Sequence, residues 1–185
     1  AKRFFQPMAL SICEQGTTAS IHVTNDTSSE IIGKLRWWLE NTDGQPVACG
    51  SQEVIAVPEC NTELMARDFV AELKDDARRS VILFAELLVD EQVVSRAAVA
   101  FVPCKHLELH DPGLSVRIDG EQLVVTAERA ARFVWLRVPG KNLVFNDNYF
   151  DISAGEQRVI SVLRADEAYD LGQVEVRSLW DSYQP

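Results

Sequence analysis

Apolar and polar residues alternate with a period of two over most of the chain, the repeat of a strand with one buried face. Ser20-Ile21-His22-Val23-Thr24 alternates and then meets Asn25-Asp26-Thr27-Ser28-Ser29, a run of turn formers. Within Gly33–Glu40, Leu35, Trp37 and Leu39 share one face, while Arg36, Trp38 and Glu40 share the other. Asn41-Thr42-Asp43-Gly44 closes that segment with a hairpin signal. Ala9–Glu14, Val47–Val57, Thr62–Asp68, Val81–Val89 and Gln92–Val102 are further strand segments, with Asp90-Glu91 placed for a turn between the last two. About seven strands before Pro103 match the pattern of an immunoglobulin-like sandwich. Helical spacing is confined to Phe69–Ala77, where Phe69 and Leu73 lie four apart; the segment predicts one short helix or turn.

A second set of strands follows. Ser115–Asp119, Gln122–Ala127 and Ala131–Val138 are separated by turn signals at Asp119-Gly120 and Glu128-Arg129, and Arg158–Leu163 and Gln173–Leu179 complete the set. The predicted fold is all-β: two consecutive immunoglobulin-like β-sandwich domains over residues 1–103 and 104–185, with the boundary near Val102–Leu109. That junction holds no Gly/Ser tract, so the two domains are expected to pack on each other.

Composition narrows function by exclusion. The 185 residues are 46% hydrophobic and 25% charged, as in ordinary globular proteins. Nine basic residues stand against fifteen acidic ones before Pro103, and nine against thirteen after it, for a net charge of −10. Neither half offers the clustered positive surface that a phosphate backbone or an anionic membrane requires, so no nucleic-acid or membrane partner is expected. Val81–Val89, the most apolar run, is interrupted by Glu86 and falls far short of the ~20 residues of a spanning helix. The chain starts at Ala1 without a signal-like apolar core, as a processed chain or an excised fragment would. Cys13, Cys49, Cys60 and Cys104 are 36, 11 and 44 positions apart, without the C-x-x-C pair of zinc ribbons and redox dithiols. They are expected to be free structural thiols, which favours a reducing compartment such as the cytoplasm.

Several segments are distinctive. Phe145-Asn146-Asp147-Asn148-Tyr149-Phe150-Asp151-Ile152-Ser153-Ala154-Gly155-Glu156 resembles the "sDNyFdLlpGe" segment near the C-terminus of β-mannosidases and related enzymes of glycoside hydrolase family 2. Ala131-Arg132-Phe133-Val134-Trp135-Leu136 is similar to the strand that precedes it there. Phe101-Val102-Pro103-Cys104-Lys105-His106-Leu107-Glu108-Leu109 resembles the junction between that family's last two β-domains. Lys2-Arg3-Phe4-Phe5-Gln6-Pro7 resembles the segment that follows its catalytic barrel, and Val176-Arg177-Ser178-Leu179-Trp180 is family-like too. The resemblance runs in order along essentially the whole chain, departing at Gln6, Cys104 and Asn146, where the family more often has Ala, Pro and Ser.

The resemblance implies a non-catalytic C-terminal fragment of a retaining exo-glycosidase, a scaffold and interdomain packing module. The missing catalytic barrel of the same polypeptide would be its partner. In such a parent two glutamates sit at the C-terminal ends of barrel strands, and a (β/α)₈ barrel needs about 250 residues. No catalytic, cofactor-binding or metal-binding residue is therefore expected here. A β-glucosaminidase parent is the related alternative.

The residues themselves agree with a silent module. Asp75-Asp76, Asp90-Glu91 and Asp166-Glu167 fall in predicted turns and read as solvated pairs rather than an acid/base dyad. Cys104, His106 and His110 look superficially metal-like, yet Pro103 and Pro112 bracket them and no fourth ligand is evident, so structural histidines are expected. Asp147, Asn148 and Asp151 lack the EF-hand spacing; they are read as turn formers, with Tyr149 and Phe150 anchoring the loop in the core. Trp135 and Trp180 are expected to pack within the second sandwich. Trp38 is the residue of interest. It can stack on a sugar ring as an oligosaccharide contact, or pack on a neighbouring domain or neighbouring side chains, unless its face is misassigned. A carbohydrate-binding module using such exposed aromatics is the functional alternative.

Overall fold

The structure is a computed structural model that describes residues 6–183. Of the segment Lys2–Pro7, residues 2–5 lie outside the described residues. All regular elements among the described residues are strands or short 3-10 turns. They fall into two units: residues up to Asn41 with Gln45–Glu108, and Thr42–Gly44 with the residues from Leu109 on.

The first unit contains β1 (Met8–Gln15), β2 (Thr18–Asn25), β3 (Ile31–Asn41), β4 (Pro46–Ala56), β5 (Cys60–Asp68), β6 (Val81–Val89) and β7 (Gln92–Ala100). These form a three-stranded sheet in the order β1-β2-β5 and a four-stranded sheet in the order β4-β3-β6-β7. The predicted alternation drives the packing: Ile21 and Val23 from one sheet face Leu35, Trp37, Leu39, Leu83 and Leu87 from the other, around Phe69. Each fully buried Leu or Ile contributes about 1.5–3 kcal/mol. Because β6 is covered on both faces, its sequence reads as a continuous apolar run rather than an alternation.

Connections follow local chemistry. Asp90 and Glu91 join β6 to β7 with φ of 50° and 59°, the left-handed pair that a tight two-residue hairpin requires. The Phe69–Ala77 segment makes a turn, with Leu73 N–H donating to Phe69 O at 2.8 Å, and then a 3-10 turn over Asp75–Arg79. Cys104–His106 also forms a 3-10 turn. His106 N–H donates to Pro103 O at 2.8 Å there, closing the chain on itself directly after the proline.

The second unit holds β8 (Ser115–Asp119), β9 (Gln122–Thr126), β10 (Ala131–Arg137), β11 (Leu143–Phe145), β12 (Phe150–Ile152), β13 (Gln157–Ala165) and β14 (Glu175–Arg177). A four-stranded sheet in the order β11-β13-β9-β8 and a three-stranded sheet in the order β12-β10-β14 enclose Leu123, Val125, Val134, Leu136, Phe150, Ile152 and Ile160. Strands β11 and β12 are new relative to the sequence reading, since three residues are too few to display a period. The last strand is shorter than Gln173–Leu179 because 3-10 turns flank it. Asp170 accepts from Gly172 N–H at 2.8 Å on one side, and Asp181 accepts from Ser178 N–H at 2.7 Å on the other.

Candidate functional site: the face around Trp38 and the Asn146–Asp151 loop

Strand β3 lies between β4 and β6, which puts Trp38 opposite Cys49 on one side and Phe84 on the other. Its indole stacks on the Phe84 ring at 5.5 Å between centroids and 11° between planes. The indole N–H donates to Glu40 Oε2 at 3.1 Å. Trp38 is half-buried, whereas Phe84 and Glu40 are each only 4% exposed. One aromatic face and the polar edge of Trp38 are thus committed to its own sheet.

One row along the same face, Arg36, Glu86 and Arg96 are register partners across β3, β6 and β7. The Glu86 carboxylate is buried, and both its oxygens are engaged, Oε2 by Arg36 and Oε1 by Arg96 Nε at 2.8 Å. The two guanidinium groups keep much of their exposure, so the trio places its charge at the water boundary rather than deep in the interior. Sequence reasoning missed this trio. Glu86 within an apolar run was its only signal, and the partners depend on a strand register that spacing does not reveal.

On the opposite face of β3, Trp37 meets Phe69 edge-on at 5.7 Å and 81°. The Arg67 guanidinium lies 4.9 Å from the Trp37 ring and 5.0 Å from that of Phe69, and it is paired with Glu72. These contacts close the core of the first unit.

In the second unit the Asn146–Asp151 loop connects strands of its two sheets. Asn146 N–H donates to Ser161 O at 2.8 Å, and its side-chain oxygen accepts from Ser161 N–H at 3.0 Å. The Asn148 side chain does the same for β10: Oδ1 accepts from Leu136 N–H at 2.8 Å, and Nδ2 donates to Leu136 O at 3.1 Å. The Asn148 carboxamide stands in for a whole peptide group beside Leu136, whereas Asn146 meets Ser161 with its own backbone N–H and its side-chain oxygen. Asp151 Oδ1 accepts from Arg132 Nε at 2.7 Å and from Phe133 N–H at 3.1 Å. These side chains hold backbone and a guanidinium, and among the described residues no three His, Cys, Asp or Glu side chains gather as metal ligands.

Phe150 anchors the loop in the core at 1% exposure, but Tyr149 is 61% exposed, contrary to the inward position expected for it. Adjacent residues at a strand start face opposite ways, and Tyr149 has φ of 58°. Its ring lies parallel to that of Trp135, with centroids 6.3 Å apart. Trp135 is likewise half-exposed and outside the inner cluster, so it packs on the outside of the sheet.

The remaining predicted residues are dispersed. Asp75, Asp76, Asp90, Glu91, Asp166 and Glu167 are all exposed, as are His106 and His110. Lys141, 2.8 Å from Glu167, holds that carboxyl below the usual glutamate value by hydrogen bond and charge. Cys13, Cys49 and Cys60 are exposed free thiols, and Cys104 is half-buried.

Two immunoglobulin-like sandwiches in tandem, each with polar devices spent on holding strands, define a β-sandwich module. Residues 17–106 match the mannosidase Ig/CBM-like domain, and residues 109–182 match an Ig-fold domain of the mannosidase type. The chain belongs to these families, as a pair of β-sandwich domains of the kind carried by β-mannosidase-like enzymes. Its fold is similar to that of β-D-mannosidase from Dictyoglomus thermophilum, with a TM-score of 0.75 and 19% identity over 96% of this chain and 22% of that one. It is also similar to the exo-chitosanase CsxA of Amycolatopsis orientalis, with a TM-score of 0.65 and 14% identity over 96% of this chain and 26% of that one. The chain therefore spans 22% to 26% of the length of these two solved structures. No curated protein sequence matches it.

Proposed function

We propose that the chain serves as a non-catalytic C-terminal module of a larger retaining exo-glycosidase resembling β-mannosidase, bracing a catalytic barrel in the same polypeptide. The observation that carries this reading is the tandem match of both sandwiches to mannosidase-type domains, in the order of the sequence motifs. Hydrolysis of terminal β-D-mannosides would then belong to the parent, through two carboxylates on its barrel. A β-glucosaminide-cleaving parent is the second reading, favoured by the similarity to CsxA, whose structure is described as an exo-β-D-glucosaminidase. In this proposal the domain boundary lies near Pro103, and Trp38 is a packing residue, supported by its stack on Phe84 and its bond to Glu40. Exposed Ile32 and Ile55, cross-strand partners on β3 and β4, offer apolar surface for a neighbouring domain.

The test is the full-length enzyme against a version truncated before this module, assayed on aryl β-mannoside and aryl β-glucosaminide. The truncated enzyme is expected to lose melting temperature and activity together, and the module alone to give no turnover. Unchanged activity and melting temperature after truncation would overturn the bracing role, and turnover by the purified module would overturn its catalytic silence.

A further inference from the structure

The outer side of the β12-β10-β14 sheet carries aromatic rings and guanidinium groups side by side. Trp135 lies at the centre, with the parallel ring of Tyr149 next to it. The Arg137 guanidinium sits 5.3 Å from the Trp135 ring and donates to Glu175 Oε2 at 2.8 Å. Phe133, two residues back along β10, is 37% exposed. Arg177 is the register partner of Trp135 on β14, exposed, and its side chain has no ion-pair or hydrogen-bond partner among the described residues.

The backbone works to present these rings. Phe133 and Tyr149 both have left-handed φ, 52° and 58°, which bulky L-residues rarely adopt. Phe133 sits in a register shift between Ala131 and Val134, the kind of bulge that re-aims a side chain. Its N–H is held by Asp151, and that of Tyr149 by the Asn148 carboxamide. The same two side chains that secure the loop therefore fix two outward aromatic rings.

Charge indicates what would sit there. Glu175 offsets Arg137 and Asp151 offsets Arg132, which leaves Arg177 as an uncompensated cation beside an aromatic surface, in a protein of net charge −10. The geometry points to a binding site for a carboxylate-bearing pyranose, a uronic-acid unit of an acidic oligosaccharide. Its apolar ring face lies on Tyr149 and Trp135, its carboxylate meets Arg177, and its hydroxyls meet the Arg137–Glu175 pair. The choice of a sugar rests on the reading of the chain as a glycosidase module; the choice of an acidic one rests on Arg177.

Calorimetric titration of the whole chain with trigalacturonic acid, and with mannotriose as the neutral arm, tests this. Saturable binding of trigalacturonic acid is expected, with weaker binding of mannotriose. Tyr149→Ala should lower the affinity about tenfold, the scale of one lost ring stack. Arg177→Gln should remove the preference for the acidic sugar and leave mannotriose binding as it was. Both side chains are exposed, and an unchanged melting temperature certifies each variant as folded. No saturable binding, an unaltered affinity in Tyr149→Ala, or equal binding of the two sugars would overturn the site. These outcomes are independent of the truncation experiment, which reads the activity of a longer enzyme and not binding by this chain.

Discussion

Gly50 lies directly across from Trp37 in the β3–β4 ladder, so close that a β-carbon on Gly50 would stand 2.6 Å from the indole ring. The strand accepts the conformational freedom of glycine so that a tryptophan can lie flat against backbone.

Gly50→Ala must therefore displace the ring or bend the strand. Denaturant unfolding should show a loss of about 1–3 kcal/mol, the usual cost of overpacking. Ser51→Ala, next along β4 on the exposed side, should change stability by less than about 0.5 kcal/mol. Equal effects from the two substitutions would mean that the ring yields freely.

The Arg36–Glu86–Arg96 trio predicts a measurable coupling. Glu86→Gln should cost about 1–2 kcal/mol, discounted because both arginines can turn to water. Once Glu86 is gone, replacing Arg96 should cost almost nothing more, a result that a double-mutant cycle reads directly. Strict additivity would show that the contacts contribute nothing as a set.

Asn148→Ala removes both bonds to the Leu136 backbone and leaves those peptide groups without their partner. A loss of about 2 kcal/mol is expected by thermal or chemical unfolding. Asn148→Asp keeps the acceptor and loses the donor, so it should fall between alanine and the native residue. An aspartate variant as unstable as alanine would count against the peptide-mimic role.

Glu167 gives a pH prediction. Its acidity is raised in the folded chain by Lys141, so the pair stabilises the fold above the unfolded-state pKa of Glu167. That contribution is lost as pH falls through the lower, folded-state value. Carboxyl NMR titration should place the Glu167 midpoint below that of an ordinary glutamate, and Lys141→Met should return it to normal.

Trp38→Phe preserves a ring to stack on Phe84 but removes the N–H that Glu40 accepts. A loss of about 1 kcal/mol is expected, against about 3 kcal/mol or more for Trp38→Ala, which also leaves a void. If the two variants were equally stable, the stack would contribute nothing.

Strands of five or more residues were legible in the sequence, from alternation or from a continuous apolar run between turn formers. Val81–Val89 and Ser115–Asp119 coincide with β6 and β8. Legibility failed where geometry is set by hydrogen bonds rather than by hydrophobic period. Strands β11 and β12 show no repeat, and Tyr149 was placed inward because an aromatic beside Phe150 looks like core. The Trp38 side of β3 followed from alternation with Leu35, Trp37 and Leu39, but Phe84 and Glu40 as its neighbours did not. Cross-strand partners such as Glu86 with Arg36 and Arg96 depend on register, and register emerges only once strands are paired.

The burial of β6 on both faces has a dynamic consequence. Ile82–Leu88 is flanked by β3 and β7 and covered above and below, so its peptide protons meet water only when the surrounding unit opens. The exchange rates of these amides measure the opening of the first sandwich as a whole. A single strand thus reports the lifetime of the entire unit, whatever occupies its surface.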